Sequence, residues 1–368
     1  MVMPMSPVLT TAPPSPRATI SALPAYVPGR RASSPLTAPL AANESHYPPL
    51  PAVAASLAAA LPRINRYPDA LAADLRAAIA AHHGVGVDGI AVGPGSLGVL
   101  QQIVTAMCEP GDEIVFAWRS FEAYPLVAAV AGARAVAVPL LADESHDLDA
   151  MAAAIGARTR VVLLCSPNNP TGVGLADEAV RRFLARVPDG VLVVIDEAYA
   201  EFVTDPAAVH GPALLAGHPN VCVLRTFSKA YGLAGLRVGY ALADPSVAEG
   251  LRRAGLPFAV GSLAQQAALA GLAAGTELAD RVAAVTGERA RIEAAARALG
   301  WRVPAGQANF LWLRADDDLR AELVDAFLAA DILVRGYPDA GVRVTLADPA
   351  TNDRVLAVLA APGLRRSR

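Results

Sequence analysis

Val221-Cys-Val-Leu-Arg-Thr-Phe-Ser-Lys-Ala-Tyr-Gly232 joins a short run without polar alternation to a dense polar cluster. Such a run predicts a strand buried on both faces. Strands of that kind belong to mostly parallel sheets covered by crossover helices. The arrangement recurs on working outward. Arg160–Cys165 runs into Cys165-Ser-Pro-Asn-Asn-Pro-Thr-Gly172, and Val191–Ile195 runs into Asp196-Glu-Ala-Tyr199. Glu113–Ala117 and Arg134–Pro139 read as two more strands. Ala70–His83, Leu97–Met107 and Ala176–Arg186 have helical spacing between them. The pattern predicts an α/β chain whose large domain is a mostly parallel sheet sandwiched by helices. Past residue 246 a long helical stretch, Ala279–Leu299, precedes strand-like runs at Asn309–Leu313 and Gly341–Thr345, which predicts a smaller C-terminal α+β domain. Residues 1–50 are Pro-rich and predict an arm that packs on the body and on a partner subunit. The expected division is 1–50, 51–250 and 251–368.

Composition narrows the function classes. The 368 residues are 54% apolar and 18% charged, which excludes a disordered chain. Lys plus Arg number 31 against 34 Asp plus Glu, so there is no electrostatic footprint for nucleic acid or an anionic membrane. The three cysteines are widely spaced, which suits a reducing compartment and offers neither a disulfide framework nor a metal site. The N-terminal stretch lacks the apolar core of a signal peptide, so the expected location is cytoplasmic. Gly89–Cys108 and Leu256–Thr276 carry no charge, but their Gly, Gln and small residues mark them as buried pieces rather than membrane spans. The cation count is unusual: 30 arginines and one lysine, Lys229.

In parallel α/β sheets, ligands bind at the carboxyl ends of the strands. The three clusters therefore bring Asn169, Asp196, Tyr199, Ser228, Lys229 and Arg237 toward one pocket. A lysine there can form a Schiff base with a carbonyl. A carboxylate can hold a pyridine nitrogen protonated. A tyrosine and an asparagine can bond a phenolate oxygen. An arginine, a serine hydroxyl and the helix N-terminus at Gly95-Ser96-Leu97 can hold a phosphate. Together these groups describe pyridoxal 5'-phosphate. Each has a bland reading when taken singly. Asp196-Glu197 can be a helix cap, Asn168-Asn169-Pro170 a turn, Arg343 a surface charge, and Phe121 and Tyr124 core aromatics. Three clusters in order, each after a strand, favour the pocket.

With these motifs the chain resembles fold-type I pyridoxal phosphate-dependent aminotransferases of the histidinol-phosphate aminotransferase branch. The resemblance extends over Leu23-Pro-Ala-Tyr-Val-Pro-Gly29, Asn43-Glu44, Arg66-Tyr-Pro-Asp69, Gln307-Ala-Asn-Phe310 and Leu333-Val-Arg335. Ala117-Trp-Arg-Ser-Phe-Glu-Ala-Tyr124 is similar to the actinobacterial aromatic amino acid aminotransferases within that branch. The resemblance implies that Lys229 carries the cofactor covalently and that Asp196 faces its ring nitrogen. Tyr199 and Asn169 would bond its 3-oxygen. Ser228, Arg237 and the backbone at Ser96 and Leu97 would hold its phosphate. Phe121 takes the ring-stacking position, and Tyr67 would reach the cofactor of the neighbouring subunit in a homodimer. Arg343 matches the arginine that grips the substrate α-carboxylate. Asn43, Tyr26, Tyr124 and Arg335 fall at substrate-contacting positions.

Two stretches depart from the family pattern. Asn43-Glu-Ser-His-Tyr-Pro48 stands where relatives often read Asn-Glu-Asn-Pro-Tyr-Gly, and Val344-Thr-Leu-Ala-Asp348 lacks a usual glycine. The second predicts a local turn change only. The implied activity moves an α-amino group between an aromatic L-amino acid and 2-oxoglutarate, both small molecules; histidinol phosphate is the rival substrate.

Arginine cannot form a Schiff base, because its guanidinium stays protonated and delocalised. Borohydride reduction of the cofactor-loaded protein is therefore expected to label one side chain, Lys229, with only the N-terminal amine competing. Peptide mapping that finds Lys229 unlabelled would undo the assignment.

Overall fold

The computed structural model describes residues 15–23, 36–362 and 364. Its strands, in chain order, are β1 (Ala38–Pro39), β2 (Ile90–Gly93), β3 (Glu113–Trp118), β4 (Arg134–Pro139), β5 (Thr159–Cys165), β6 (Leu192–Asp196), β7 (Val221–Thr226), β8 (Gly239–Ala243), β9 (Phe310–Arg314), β10 (Ile332–Leu333), β11 (Arg335–Tyr337) and β12 (Gly341–Thr345). The main sheet has the order β2-β8-β7-β6-β5-β3-β4. All its pairings are parallel except the two made by β8. The mostly parallel sheet is thus as the apolar runs predict. β2 and β8 escape that reading: β2 is four residues inside an uncharged stretch that continues into a helix, and β8 follows a glycine-marked turn.

Period-two alternation divides the sheet's side chains between two cores. Val193 and Ile195 join Val221, Val223, Val162 and Leu164 on one face, under helices that include Ala73–His83, Asp177–Leu184 and Ser262–Ala273. Leu192 and Val194 join Cys222, Leu224, Val161 and Phe116 on the other, under Gly95–Met107 and Ala123–Ala131. A separate core gathers Ile292, Phe310, Leu323, Phe327 and Val342, from the antiparallel β11-β12-β9 sheet and the helices Gly275–Ala298, Asp317–Ala329 and Pro349–Ala360. The arm joins this second body: β1 pairs in parallel with β10, and Ala38 and Leu40 enter its core.

Local chemistry moves some element ends. Helicity begins at Ala73 rather than Ala70, because Asp69 accepts the amides of Leu71 and Ala73 (3.0 and 2.6 Å) and Ala72 adopts φ 47°. At the departure after Arg343, Asp348 accepts the Thr351 amide at 3.0 Å and so caps the helix Pro349–Ala360. The stretch Leu256–Thr276 is not uniformly buried as expected. Ser262–Ala273 packs inward, but Leu256 is 80% and Phe258 44% exposed. Among the described residues, no helix is long and apolar enough to cross a membrane.

The same alternation sends Asp196 and its neighbour Glu197 to opposite faces. Glu197 meets Arg225 of β7, whose Nε and Nη2 lie 2.8 and 2.7 Å from Oε2, while Oε1 accepts the Gly211 amide at 2.6 Å. Both side chains are buried. Removing one partner of a buried pair strands the other charge and costs about 3–5 kcal/mol. Because Glu201 also lies 3.6 Å from Arg225, Glu197→Leu is expected to destabilise the protein by about 3 kcal/mol, the lower end of that range, in urea unfolding. The double variant Glu197→Leu/Arg225→Met should cost less than its two singles added; strict additivity would show that the charges do not interact.

Candidate active site

Asp196 ends β6 on the face that carries Leu192 and Val194, directly beside Cys165 of β5. It is buried. Its Oδ2 accepts the Tyr124 hydroxyl at 2.8 Å and its Oδ1 the Ala198 amide at 3.3 Å. Loss of water raises its pKa to about 6, tempered by the Tyr124 hydrogen bond. A carboxylate in this state accepts one more donor readily.

Lys229 lies three residues past β7 and is half-buried. Its Nζ donates to the Ala42 carbonyl at 3.1 Å and sits 5.8 Å from the centre of the Tyr199 ring. Loss of water around the ammonium, then the Arg343 charge, lower its pKa to about 7, against the pull of Glu44 and Asp196. Lys229 can thus serve as a neutral amine near neutral pH. Tyr199 is buried, accepts Asn43 Nδ2 at 2.9 Å and packs edge-on to Phe310. Burial raises its hydroxyl above the usual tyrosine range.

The helix Gly95–Met107 starts without a side-chain cap, so its first amides are free to bond an anion. Arg237, at φ 53°, donates from Nη1 to the Ala234 carbonyl at 2.9 Å and lies 3.5 Å from Ser228 Oγ. A Cβ at Gly95 would strike the Arg237 guanidinium, and one at Gly239 would strike the Ser96 nitrogen. Two glycines thus let the arginine, the serine and the helix end close into one cradle.

Arg343 of β12 is buried opposite. Its Nη1 donates to Asn169 Oδ1, its Nη2 to the Ala41 carbonyl at 2.6 Å, and its Nε has no partner among the described residues. The guanidinium lies 5.5 Å from the Phe310 and Tyr337 ring centres. Asn43 takes φ 55° and is tied down on several sides: its amide donates to Thr345 Oγ1 at 2.9 Å, its Oδ1 accepts that hydroxyl at 3.0 Å, and its carbonyl accepts Asn309 Nδ2.

The model thus brings Asn43, Asn169, Asp196, Tyr199, Lys229 and Arg343 together, with Ser96, Leu97, Ser228 and Arg237 forming the cradle beside them. The other predicted residues flank this cluster or stand apart from it. Tyr124 is fully buried with its hydroxyl on Asp196, which corrects the expected substrate contact: the alternation of β6 aims Asp196 into the core where Tyr124 packs. Tyr67 is 84% exposed and stacks on Phe258 (4.8 Å), away from this subunit's cluster. Arg335 is held by Glu122, both of whose oxygens lie 3.0–3.1 Å from Nη2. Phe121 stands edge-on to Tyr124 at 5.6 Å. Tyr26 lies outside the described residues. No group of acidic, His or Cys side chains fit for a metal occurs among the described residues.

Sequence reasoning missed several supports. Glu144, buried at φ 71°, accepts Trp312 Nε1 at 2.5 Å and pairs with Arg314, tying the loop after β4 to β9. Trp312 faces Arg343 across the β9–β12 ladder and packs edge-on to Tyr337 at 5.7 Å. The carbonyls of Ala41 and Ala42 carry no signal in a side-chain reading.

The model of the aminotransferase class I and II family matches residues 38–359. An aromatic amino acid aminotransferase of Streptomyces coelicolor is 49% identical over 93% of this chain and 96% of its own. One of Rhodococcus jostii is 50% identical over 94% and 95%. Among solved structures, the histidinol-phosphate aminotransferase of Sinorhizobium meliloti in complex with pyridoxal-5'-phosphate superposes with a TM-score of 0.85. It is 31% identical and covers 97% of this chain and 98% of its own. With a family match over most of its length and relatives at about half identity, this chain belongs to the class I and II aminotransferases.

Proposed function

We propose that the protein is a pyridoxal 5'-phosphate-dependent aminotransferase that moves the α-amino group between an aromatic L-amino acid (phenylalanine, tyrosine or tryptophan) and 2-oxoglutarate. The observation that carries this reading is the chain's sole lysine, with a pKa lowered to about 7, in a cluster with Asp196, Tyr199 and Arg343. The aromatic preference is supported by the relatives of about 49% identity, which bear that name along more than nine-tenths of the chain. Histidinol phosphate is the second reading, favoured by the name of the 31%-identical structure.

The donor set fits the cofactor. Asp196 is buried, has acceptor capacity left and can take a ring N–H. The uncapped helix end, the Arg237 guanidinium and the Ser228 hydroxyl can all donate to a phosphate. When bound, pyridoxal phosphate supplies an aldehyde carbon for the substrate amine and a protonated ring that withdraws electrons from the substrate Cα. Lys229 Nζ, neutral near pH 7, would take the proton from the substrate Cα. Tyr199 and Asn169 would bond the ring oxygen, Phe121 would cover a ring face, and Asp196 would keep the ring nitrogen protonated. Arg343, whose Nε has no partner among the described residues, would hold the substrate α-carboxylate. Asn43 keeps the arm closed over Tyr199.

The same reading makes the enzyme a homodimer. Leu61, Ile64, Tyr67 and Leu71 are exposed on one stretch, Leu256 and Phe258 on another, and the Tyr67–Phe258 stack joins them into one apolar patch. Tyr67 would cross to the neighbouring subunit's cofactor. The chain would divide into the arm 1–50, the large cofactor-binding domain 51–250 and the small domain 251–368, with Ser262–Ala273 packed back on the large core. Three free cysteines suit a cytoplasmic setting.

Phenylalanine, tyrosine and histidinol phosphate, added separately to the holoenzyme, test the substrate. The aromatic amino acids are expected to convert the visible cofactor absorbance; markedly faster conversion by histidinol phosphate would replace the aromatic reading.

The lysine also makes a pH prediction for the cofactor-free protein. Its pKa of about 7 lies below the unfolded value of 10.5, so above pH 7 the unfolded chain binds more protons and stability rises with pH. The window closes near about pH 8.5, where the thiols of Cys108, Cys165 and Cys222, raised by burial, begin to act in the opposite sense. The advantage of Lys229→Met over wild type in urea unfolding should therefore be level below pH 7 and shrink above it. A constant difference would show that the ammonium is not perturbed.

A further inference from the structure

Residues 44–49 cross from one body to the other. Asn43 before them is tied to Thr345 of the small sheet, and Leu50 after them lies in the large core. Between those anchors the segment forms no helix or strand, and none of its side chains is buried. It makes no backbone–backbone hydrogen bond among the described residues. The chain just before it nonetheless closes on the active cluster: Ala42 accepts Lys229 Nζ at 3.1 Å, and Ala41 accepts Arg343 Nη2 at 2.6 Å. Glu44 is among the charges that bear most on Lys229.

Arg281, in the second turn of the helix Gly275–Ala298, reaches this segment twice. Its Nη1 donates to the Pro48 carbonyl at 2.6 Å, and its guanidinium lies 5.2 Å from the centre of the Tyr47 ring. Among the described residues, that hydrogen bond is the one that joins 44–49 to another element; the Tyr47 amide turns back to Ser45 Oγ. Asp348 and Glu288 bear on His46, but Asp348 is spent on the Thr351 amide and Glu288 on Arg291. A small cavity is lined by Ser45 and Tyr47 of the segment and by Val282 and Val285 of the helix, so dense packing does not substitute for the arginine. Pro48 and Pro49 have fixed φ and no amide donor, so a hold on the Pro48 carbonyl is carried along a stiff stretch. Pro48 stands where the family pattern often has glycine.

We propose that Arg281 is a positioning residue: by clamping Tyr47 and Pro48 to the long helix of the small body, it keeps the Ala41 and Ala42 carbonyls on Arg343 and Lys229 and keeps water off the lysine. The proposal rests on the aminotransferase reading for what those two residues do. Arg281 acts through the segment and not on the reacting atoms.

The single lysine makes the clamp measurable in the cofactor-free protein. Trace acetylation with acetic anhydride, followed by peptide mapping across the amine's titration, compares Lys229 with the N-terminal amine as internal reference. The limiting rate at high pH reads access, and the midpoint reads the water around the ammonium. Arg281→Met is expected to raise the limiting rate at Lys229 about three- to tenfold. It should also move the midpoint up from about 7 toward 10.5. Tyr47→Leu removes no charge and should act in the same direction more weakly, with less effect once Arg281 is gone. Arg291→Met, on the same helix, should change neither quantity. An unchanged limiting rate in Arg281→Met would overturn the proposal, even with a moved midpoint, since a charge acting through space would do that alone. So would full additivity of the Arg281 and Tyr47 substitutions. In the holoenzyme, Arg281→Met should raise the KM for phenylalanine more than it lowers kcat. If the wild-type holoenzyme fails to act on phenylalanine, the aromatic reading falls separately, while acetylation still decides whether Arg281 holds the segment over Lys229.

Discussion

A parallel sheet buried on both faces can carry polar side chains cheaply only at its ends. Along β5, β6 and β7 nearly every residue contacts one of two apolar cores, so a charge there would lose its water with nothing in return. Asp196, Asn169, Ser228 and Lys229 all stand at or just beyond the last residues of these strands. Where Glu197 and Arg225 do enter the interior, they enter paired and with Glu201 beside the arginine, on the face away from Asp196. The period-two geometry of β6 makes that separation: consecutive acidic residues point to opposite sides, and each meets a different partner.

The second body completes what the sheet edge begins. Arg343 comes from β12, more than a hundred residues beyond Lys229, and Asn43, Ala41 and Ala42 come from the arm. The arm spans both bodies: β1 pairs with β10 and Asn43 bonds Thr345 of the small sheet, while Arg17 reaches the Val130 carbonyl and Leu50 enters the large core. Glu144 provides the reverse tie, from a loop of the large sheet to Trp312 and Arg314. The cluster therefore lies along a seam between two packed units, and its charges are perturbed because burial there excludes water. Lys229 is lowered by that loss of water and by Arg343; Asp196 is raised by the same loss.

The motif residues were legible because each cluster follows an apolar run that can only be a buried strand. The Ser-Pro-Asn-Asn-Pro-Thr-Gly, Asp-Glu-Ala-Tyr and Thr-Phe-Ser-Lys segments advertise both a strand end and a polar function. Tyr124 was misplaced because its sequence neighbours Phe121 and Glu122 give no hint that its hydroxyl would turn inward to Asp196. Glu144 and Glu122 gave no signal because an acidic residue in an apparent loop is most often solvated. Their significance lies in partners 168 and 213 residues away.

The amino-acid sequence by itself determined the strand order of chemistry along the chain, the class of cofactor its side chains suit, and the singular lysine, because those follow from residue type and local periodicity. Only the tertiary structure decided which carboxylate neutralises which arginine, which tyrosine supports Asp196, and how the arm's carbonyls close on Lys229 and Arg343. Those outcomes depend on long-range packing of two bodies around a dry seam, where distances of about three ångströms are set by the whole fold and not by any local stretch.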